Sequence, residues 1–423
     1  MIHAGNAPGA APDRTRRVAV NGRSYALPEH PVAVICVDGF DPAYLDCALA
    51  DGIMPTLARW VATGFACSVD AAMPTFTNPN NISIVTGAPP AVHGVSGNYF
   101  LDRATGVETM MVDARFLRAE TILATLAHAG VRVASVTAKD KLRQALGAGL
   151  RGISLSAQHA DRATIAENGV DGVEAMVGRA VPDQYSADLS LFVLDAGIAL
   201  LRRGRAELLY LSLSDFVQHA HAPRTPPSDA FLRDIDLRLA ALAEAGARVV
   251  LTADHGMTDK ADAAGHPNVL YLEDALNARF GDGAVRIICP IADPFVRHHG
   301  GLGSFVRGYV RPGLPVDEVI RTARGLPHID AVIPAAEAAR RFDLPLDREG
   351  DFVALAEDDA VIGARATEHD LAALAGRRLR SHGGLSERRV PLVASHPLRP
   401  GAGEGIRHNW DAFDVALNRM VTA

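Results

Sequence analysis

Six side chains of metal-binding type stand in four short clusters: Asp38, Asp215 with His219, Asp254 with His255, and His382. Three carboxylates and three imidazoles are ligands suited to zinc, with manganese and iron as alternatives. Three of the clusters follow apolar runs: Asp38 after Val32–Val37, Asp215 after Leu208–Leu213, and Asp254-His255 after Val249–Ala253. His382 lies in the turn-rich Arg380-Ser-His-Gly-Gly384. Open α/β sheets place their ligands at the carboxyl ends of strands, and these runs end where such ligands belong. Asp215 and His219 are four apart, so one helical turn brings them to the same side.

A nucleophile is offered by Met73-Pro-Thr-Phe-Thr-Asn-Pro-Asn-Asn-Ile-Ser-Ile-Val-Thr-Gly87. Pro79 suits the first turn of a helix and Gly87 its end, which sets Thr77 at or just before the helix N-terminus. Free amides and the helix dipole favour a phosphate there. Thr75 is the alternative hydroxyl. A plain N-cap is the competing reading of Thr77.

The elements that must position these groups read as an α/β fold with a mainly parallel sheet flanked by helices. Strands are expected at Val32–Val37, Val131–Val136, Leu208–Leu213 and Val249–Thr252, and helices at Met54–Ala62, Ala119–Ala129, Asp188–Arg202 and Ala230–Ala245. Asn21-Gly22 between two short apolar runs predicts a hairpin. From Leu272 to Gly376 the texture changes to many short elements and the Gly-rich His298-His299-Gly-Gly-Leu-Gly303. The expected organisation is a flexible leader over 1–16, a metal-binding core over 17–271 and 377–423, and an inserted α+β cap over 272–376.

At 423 residues and 48% hydrophobic, the chain can bury a large core. A net charge of -7 without a basic run argues against nucleic acid as a partner. No apolar run reaches the ~20 residues that cross a bilayer. The Ala/Gly/Pro-rich start lacks the apolar stretch of a secretion signal, so the cytoplasm is expected. Cys36, Cys47, Cys67 and Cys289 show no metal-finger or redox spacing and read as thiols in a reducing compartment. A homodimer is left open.

Taken together and in order, Val37-Asp38-Gly39, Pro74-Thr-Phe-Thr77, Ile84-Val-Thr-Gly87, His93-Gly94 with Asn98, Asp215-x3-His219, Ala253-Asp-His-Gly256 and Ser381-His-Gly383 resemble the alkaline phosphatase superfamily, in its nucleotide pyrophosphatase/phosphodiesterase-like branch. The resemblance implies an alkaline-phosphatase-like core and two zinc ions. One would be held by Asp215, His219 and His382. The other would be held by Asp38, Asp254, His255 and the Thr77 oxygen. Thr77 would form a phosphothreonine, and Asn98 would donate to a phosphoryl oxygen. Thr77-Asn-Pro-Asn-Asn81 departs from the branch's Thr-Phe-Pro-Asn-His, which weakens a nucleotide substrate.

A narrower resemblance is to the phosphonoacetate hydrolase family, carried by Val20-Asn-Gly-Arg-Ser-Tyr25, Thr77-Asn-Pro-Asn80 and Lys139-Asp-Lys141. It implies hydrolysis of a carbon–phosphorus bond to acetate and phosphate, a small anionic phosphonate as partner, and substrate contacts from Lys139, Lys141 and Arg297. The chain holds three lysines, and two of them fall in this motif. An extended chain would point both the same way, whereas a helix starting at Asp140 would make them diverge somewhat. The alternatives are a nucleotide pyrophosphatase/phosphodiesterase, a serine- and manganese-dependent phosphatase relative, and a non-catalytic phosphonate sensor or zinc-binding protein.

Overall fold

The computed structural model describes residues 16–111, 113–292, 300–374 and 376–421. Arg297, with His298 and His299, lies outside the described residues, as does most of the expected leader.

The apolar runs become the centre of a seven-stranded sheet in the order Phe65–Asp70, Arg389–Ala394, Arg248–Thr252, Val32–Cys36, Leu208–Ser212, Val133–Thr137, Ile153–Ser156. The last five are parallel in register. Val32–Cys36, Leu208–Ser212, Arg248–Thr252 and Val133–Thr137 are buried at every position, as strands covered on both faces must be. Arg389–Ala394 runs antiparallel to both of its neighbours, so the sheet is mixed at that side.

The helices Pro42–Ala50, Pro55–Thr63, Ala187–Arg202 and Pro226–Glu244 pack around this sheet. The last begins four residues before the expected Ala230. Pro226 and Pro227 open it, where a missing N–H is no loss. The helix expected over Ala119–Ala129 is trimmed to Ile122–His128, because the Thr121 hydroxyl accepts the Ala124 N–H at 3.0 Å and sets the start. Asn21 and Gly22 both have positive φ, 48° and 79°, as the tight turn between Arg17–Val20 and Arg23–Ala26 requires.

Within 272–376 the short elements assemble a second, four-stranded antiparallel sheet, ordered Val285–Ile288, Phe305–Val310, Phe352–Ala356, Ile329–Pro334. Helices Leu272–Phe280, Val316–Ala323 and Ala335–Phe342 pack on it around a separate apolar core of Phe305, Val306, Phe352, Ile287 and Leu276. That core also takes in Met73 and Phe76, from the segment just before Thr77. The start of the helix Thr77–Thr86 is thus wedged between two hydrophobic cores.

Candidate active site

Four of the five parallel strands deliver a polar group at their carboxyl ends. Asp38 lies two residues beyond Val32–Cys36, Asp254 and His255 follow Arg248–Thr252, Asp215 follows Leu208–Ser212, and Lys139 follows Val133–Thr137. Gly39, at φ 68°, turns the chain sharply after Asp38, and its N–H donates to Asp254 Oδ1 at 3.2 Å. Asp215 caps the short helix Phe216–Ala220, and His219 lies one turn on, its Nε2 2.9 Å from Asp215 Oδ2. His382 comes from a distant part of the chain. The ladder of Thr258–Asp259 with Arg380–Ser381 brings it in. Gly383, at φ 123°, must be glycine, since a Cβ there would sit 2.5 Å from the Phe76 ring.

All six ligand-type residues are buried. Ligand atoms of Asp215, His219 and His382 lie within 4.8 Å of one another, as do those of Asp38, Asp215 and His255. Asp215 belongs to both groups. Asp254 Oδ2 is 3.8 Å from His255 Nε2. The His255 and His382 rings, one from each group, stack with centroids 3.6 Å apart and planes 9° from parallel.

The three imidazoles share one further feature. His219 Nδ1 is 2.8 Å from the Arg380 carbonyl oxygen, His255 Nδ1 2.9 Å from that of Gly256, and His382 Nδ1 2.7 Å from that of Thr75. A carbonyl only accepts, so each Nδ1 carries the proton. Each ring therefore turns its other nitrogen, Nε2, toward the carboxylates. Second-sphere bonds of this kind orient metal-binding histidines. Burial and the crowding of Asp215 and Asp254 push the Asp38 carboxyl well above its ordinary range. Burial, then His255 and His219, holds His382 well below its ordinary value, in the neutral ligand form. Clustered buried carboxylates facing imidazole lone pairs fit cations at this place.

Thr77 is the first residue of the helix Thr77–Thr86, with Phe76 at the cap and Gly87 ending it in a left-handed turn at φ 64°. Its Oγ1 is 3.3 Å from His255 Nε2, inside the cluster. Thr75 is not a rival. Its buried hydroxyl donates to the Gly384 carbonyl at 3.0 Å and accepts the Gly383 N–H at 3.0 Å, so it braces the His382 loop. Thr77, Asn98, Lys139, Lys141, Asp38, Asp215 and His382 line one cleft. Lys139 Nζ is 3.6 Å from Asp215 Oδ1. Lys139 caps the helix Asp140–Leu146 and Lys141 is its second residue, so the pair is not an extended one, yet both reach the cleft.

Asn81 was absent from the expected site. It donates to Asp254 Oδ2 at 3.1 Å and to the Thr77 carbonyl at 3.0 Å. Its position four residues after Thr77, one helical turn on, was the available signal.

The profile of the type I phosphodiesterase / nucleotide pyrophosphatase family matches residues 32–384, and the chain belongs to that family. Within it, the chain falls with the phosphonoacetate hydrolases. It is 46% identical to the phosphonoacetate hydrolase of Sinorhizobium meliloti solved with phosphonoformate, over 95% of this chain and 98% of that one, with a TM-score of 0.91. The same enzyme solved with phosphonoacetate matches at 45% identity, equal coverage and an equal TM-score. The fold is shared more distantly with murine ectonucleotide pyrophosphatase / phosphodiesterase 5 in complex with AMP, at 18% identity, a TM-score of 0.63, and coverage of 93% and 96%. No helix among the described residues is long and apolar enough to cross a membrane.

Proposed function

We propose that this chain hydrolyses the carbon–phosphorus bond of phosphonoacetate to acetate and phosphate, with Thr77 as nucleophile. The lining of the cleft carries the reading. Thr77, Asn98, Lys139 and Lys141 share it with the ligand cluster, and among the described residues it has no Phe, Tyr or Trp. A nucleotide would want an aromatic slot for its base, whereas a small trianion wants cations. The relatives solved with phosphonoformate and phosphonoacetate support the same class of ligand.

Asp215, His219 and His382 would hold one zinc ion, and Asp38, Asp254, His255 and the Thr77 oxygen the other, with Mn²⁺ or Fe²⁺ as alternatives. Bound there, the pair supplies Lewis acidity at the phosphoryl oxygens and favours the deprotonated forms of the Thr77 hydroxyl and of water. The Thr77 oxygen attacks phosphorus opposite the carbon. The P–O bond forms as the P–C bond breaks, leaving a phosphothreonine. The electron pair leaves on the methylene carbon and delocalises into the carboxylate as an enediolate. That carbon then takes a proton from solvent to give acetate. Water cleaves the phosphothreonine, regenerating Thr77 and releasing phosphate.

The Asn98 amide and the amides at the start of Thr77–Thr86 donate to phosphoryl oxygens as charge builds. Lys139 and Lys141 stabilise the departing enediolate, whose charge is greatest in the transition state. Arg297 is proposed as a further carboxylate contact.

The test is acetate and phosphate release from phosphonoacetate by zinc-reconstituted protein, with a simple phosphodiester and a dinucleotide assayed alongside. Equimolar acetate and phosphate are expected. Nucleotide release without acetate would transfer the chain to the pyrophosphatase/phosphodiesterase reading.

A further inference from the structure

The loop that carries Asn98 makes most of its polar contacts with the second sheet and its flanking segments. The Ala91 N–H donates to the Asp343 carbonyl at 2.7 Å, and the Gly94 carbonyl accepts from Arg348 Nη1 at 2.5 Å. The Asn98 N–H donates to the Pro290 carbonyl at 2.8 Å, and its side-chain Nδ2 to the Ile291 carbonyl at 3.3 Å. Asn98 Oδ1 is buried and has no hydrogen-bond partner among the described residues.

Between these contacts lies one fully buried ion pair. Arg307, on the strand Phe305–Val310, donates from Nε to Glu349 Oε2 at 2.6 Å and from Nη2 to Glu349 Oε1 at 2.8 Å. The same Nη2 donates to the Ser96 carbonyl at 2.7 Å and to Ser96 Oγ at 3.0 Å. Nη1 lies under Gly97, where an added Cβ would be 3.3 Å from it and 2.7 Å from Pro290 Cβ. Position 97 therefore leaves no room for a side chain, and the guanidinium sits directly beneath the peptides preceding Asn98. A buried pair of this kind is weak evidence for stability as such, but its fork geometry is well suited to fixing a backbone.

We infer that the Arg307–Glu349 pair is a positioning element for Asn98: it fixes the 94–98 loop and so the line along which the Asn98 amide meets a phosphoryl oxygen. The inference rests on the proposed role of Asn98, and the two are separable by a double-mutant cycle. The variants are Asn98→Ala, the paired Arg307→Met/Glu349→Met, which leaves no lone buried charge, and their combination. A catalytic donor moved by about 1 Å costs on the order of 100-fold, so the paired variant should lose about 10- to 100-fold in kcat. It should still bind zinc with wild-type stoichiometry.

The expected signature is strong non-additivity, in which the paired change costs little once Asn98 is already alanine. Losses that multiply would show that the pair only stabilises the fold, and would overturn the inference. So would a paired variant with full kcat beside an impaired Asn98→Ala. An Asn98→Ala protein with wild-type turnover would instead remove the role of Asn98, and the inference with it. Should the paired variant fail to fold, Arg307→Lys keeps the charge opposite Glu349 while losing the fork on that carboxylate and the Nη2 contacts to Ser96. The same cycle and the same outcomes then apply to it.

Discussion

Asn81 and Asp254 are joined by a hydrogen bond of 3.1 Å, from the Asn81 amide to Asp254 Oδ2. The other side of the amide accepts two hydroxyls, from Tyr210 at 2.7 Å and Ser212 at 2.8 Å. The same Nδ2 also donates to the Thr77 carbonyl. Asn81 therefore sets the rotamer of a proposed ligand and braces the turn that presents the proposed nucleophile.

Replacing Asn81 by alanine frees the Asp254 carboxylate and leaves the Tyr210 and Ser212 hydroxyls without their acceptor. Outer-sphere changes of this type typically weaken metal affinity by about 10- to 100-fold. Competition titration against a chromophoric chelator should show one of two zinc equivalents weakened by that factor. Unchanged affinity at both sites would mean that Asp254 is held by Gly39 and His255 alone.

Thr77→Ala should lower turnover by at least about 1000-fold, the scale seen when a nucleophile is deleted. Zinc binding should persist, because the remaining ligands are untouched. Thr77→Ser should retain measurable activity. Mass spectrometry of acid-quenched wild-type protein should find phosphate on Thr77 during turnover. A fully active Thr77→Ala protein would mean that water attacks phosphorus directly.

The clustering of the proposed ligands was legible in the sequence because each member sits beside a strong local signal: an apolar run, a one-turn spacing, or a glycine demanded by a turn. The parallel strands were legible for the same reason, since burial on both faces leaves continuous runs such as Val32–Cys36. The second sheet was not. Its strands, Val285–Ile288 and Phe352–Ala356 among them, are four to six residues long and pair across up to 50 positions, which no local period reveals. Nor could spacing place Arg307 beneath Ser96, 211 residues away in the chain. Thr75 and Thr77 were indistinguishable by type, and only the packing of the His382 loop separates them.

Lys139 and Lys141 define the next expectation. If their charge acts on the departing enediolate, Lys139→Ala/Lys141→Ala should reduce phosphonoacetate turnover by about 100-fold, comparable to removing a donor aimed at developing charge. Cleavage of an activated phosphodiester expels a good alkoxide leaving group and should fall far less. The ratio of the two rates is the measurement, since it cancels any loss of folded or metallated protein. Equal losses on both substrates would sink the assignment.

His93 sets a pH dependence away from the chemistry. It is fully buried, its Nδ1 accepting the Val95 N–H at 3.2 Å and its Nε2 lying 2.8 Å from Ser83 Oγ. Burial lowers its pKa from 6.5 to about 3, with Arg348 adding to the shift. The unfolded chain takes up this proton near pH 6.5 and the folded chain only near pH 3. The stability from keeping the ring neutral is thus fully present above 6.5 and is lost progressively as the pH falls between those values. The slope from one such group is about 1.4 kcal/mol per pH unit within that window. Urea denaturation of metal-free wild type and His93→Gln, compared from pH 7 to pH 4.5, should show a flatter acid slope in the variant even if its stability at pH 7 is lower. Parallel slopes would assign the acid sensitivity to other groups.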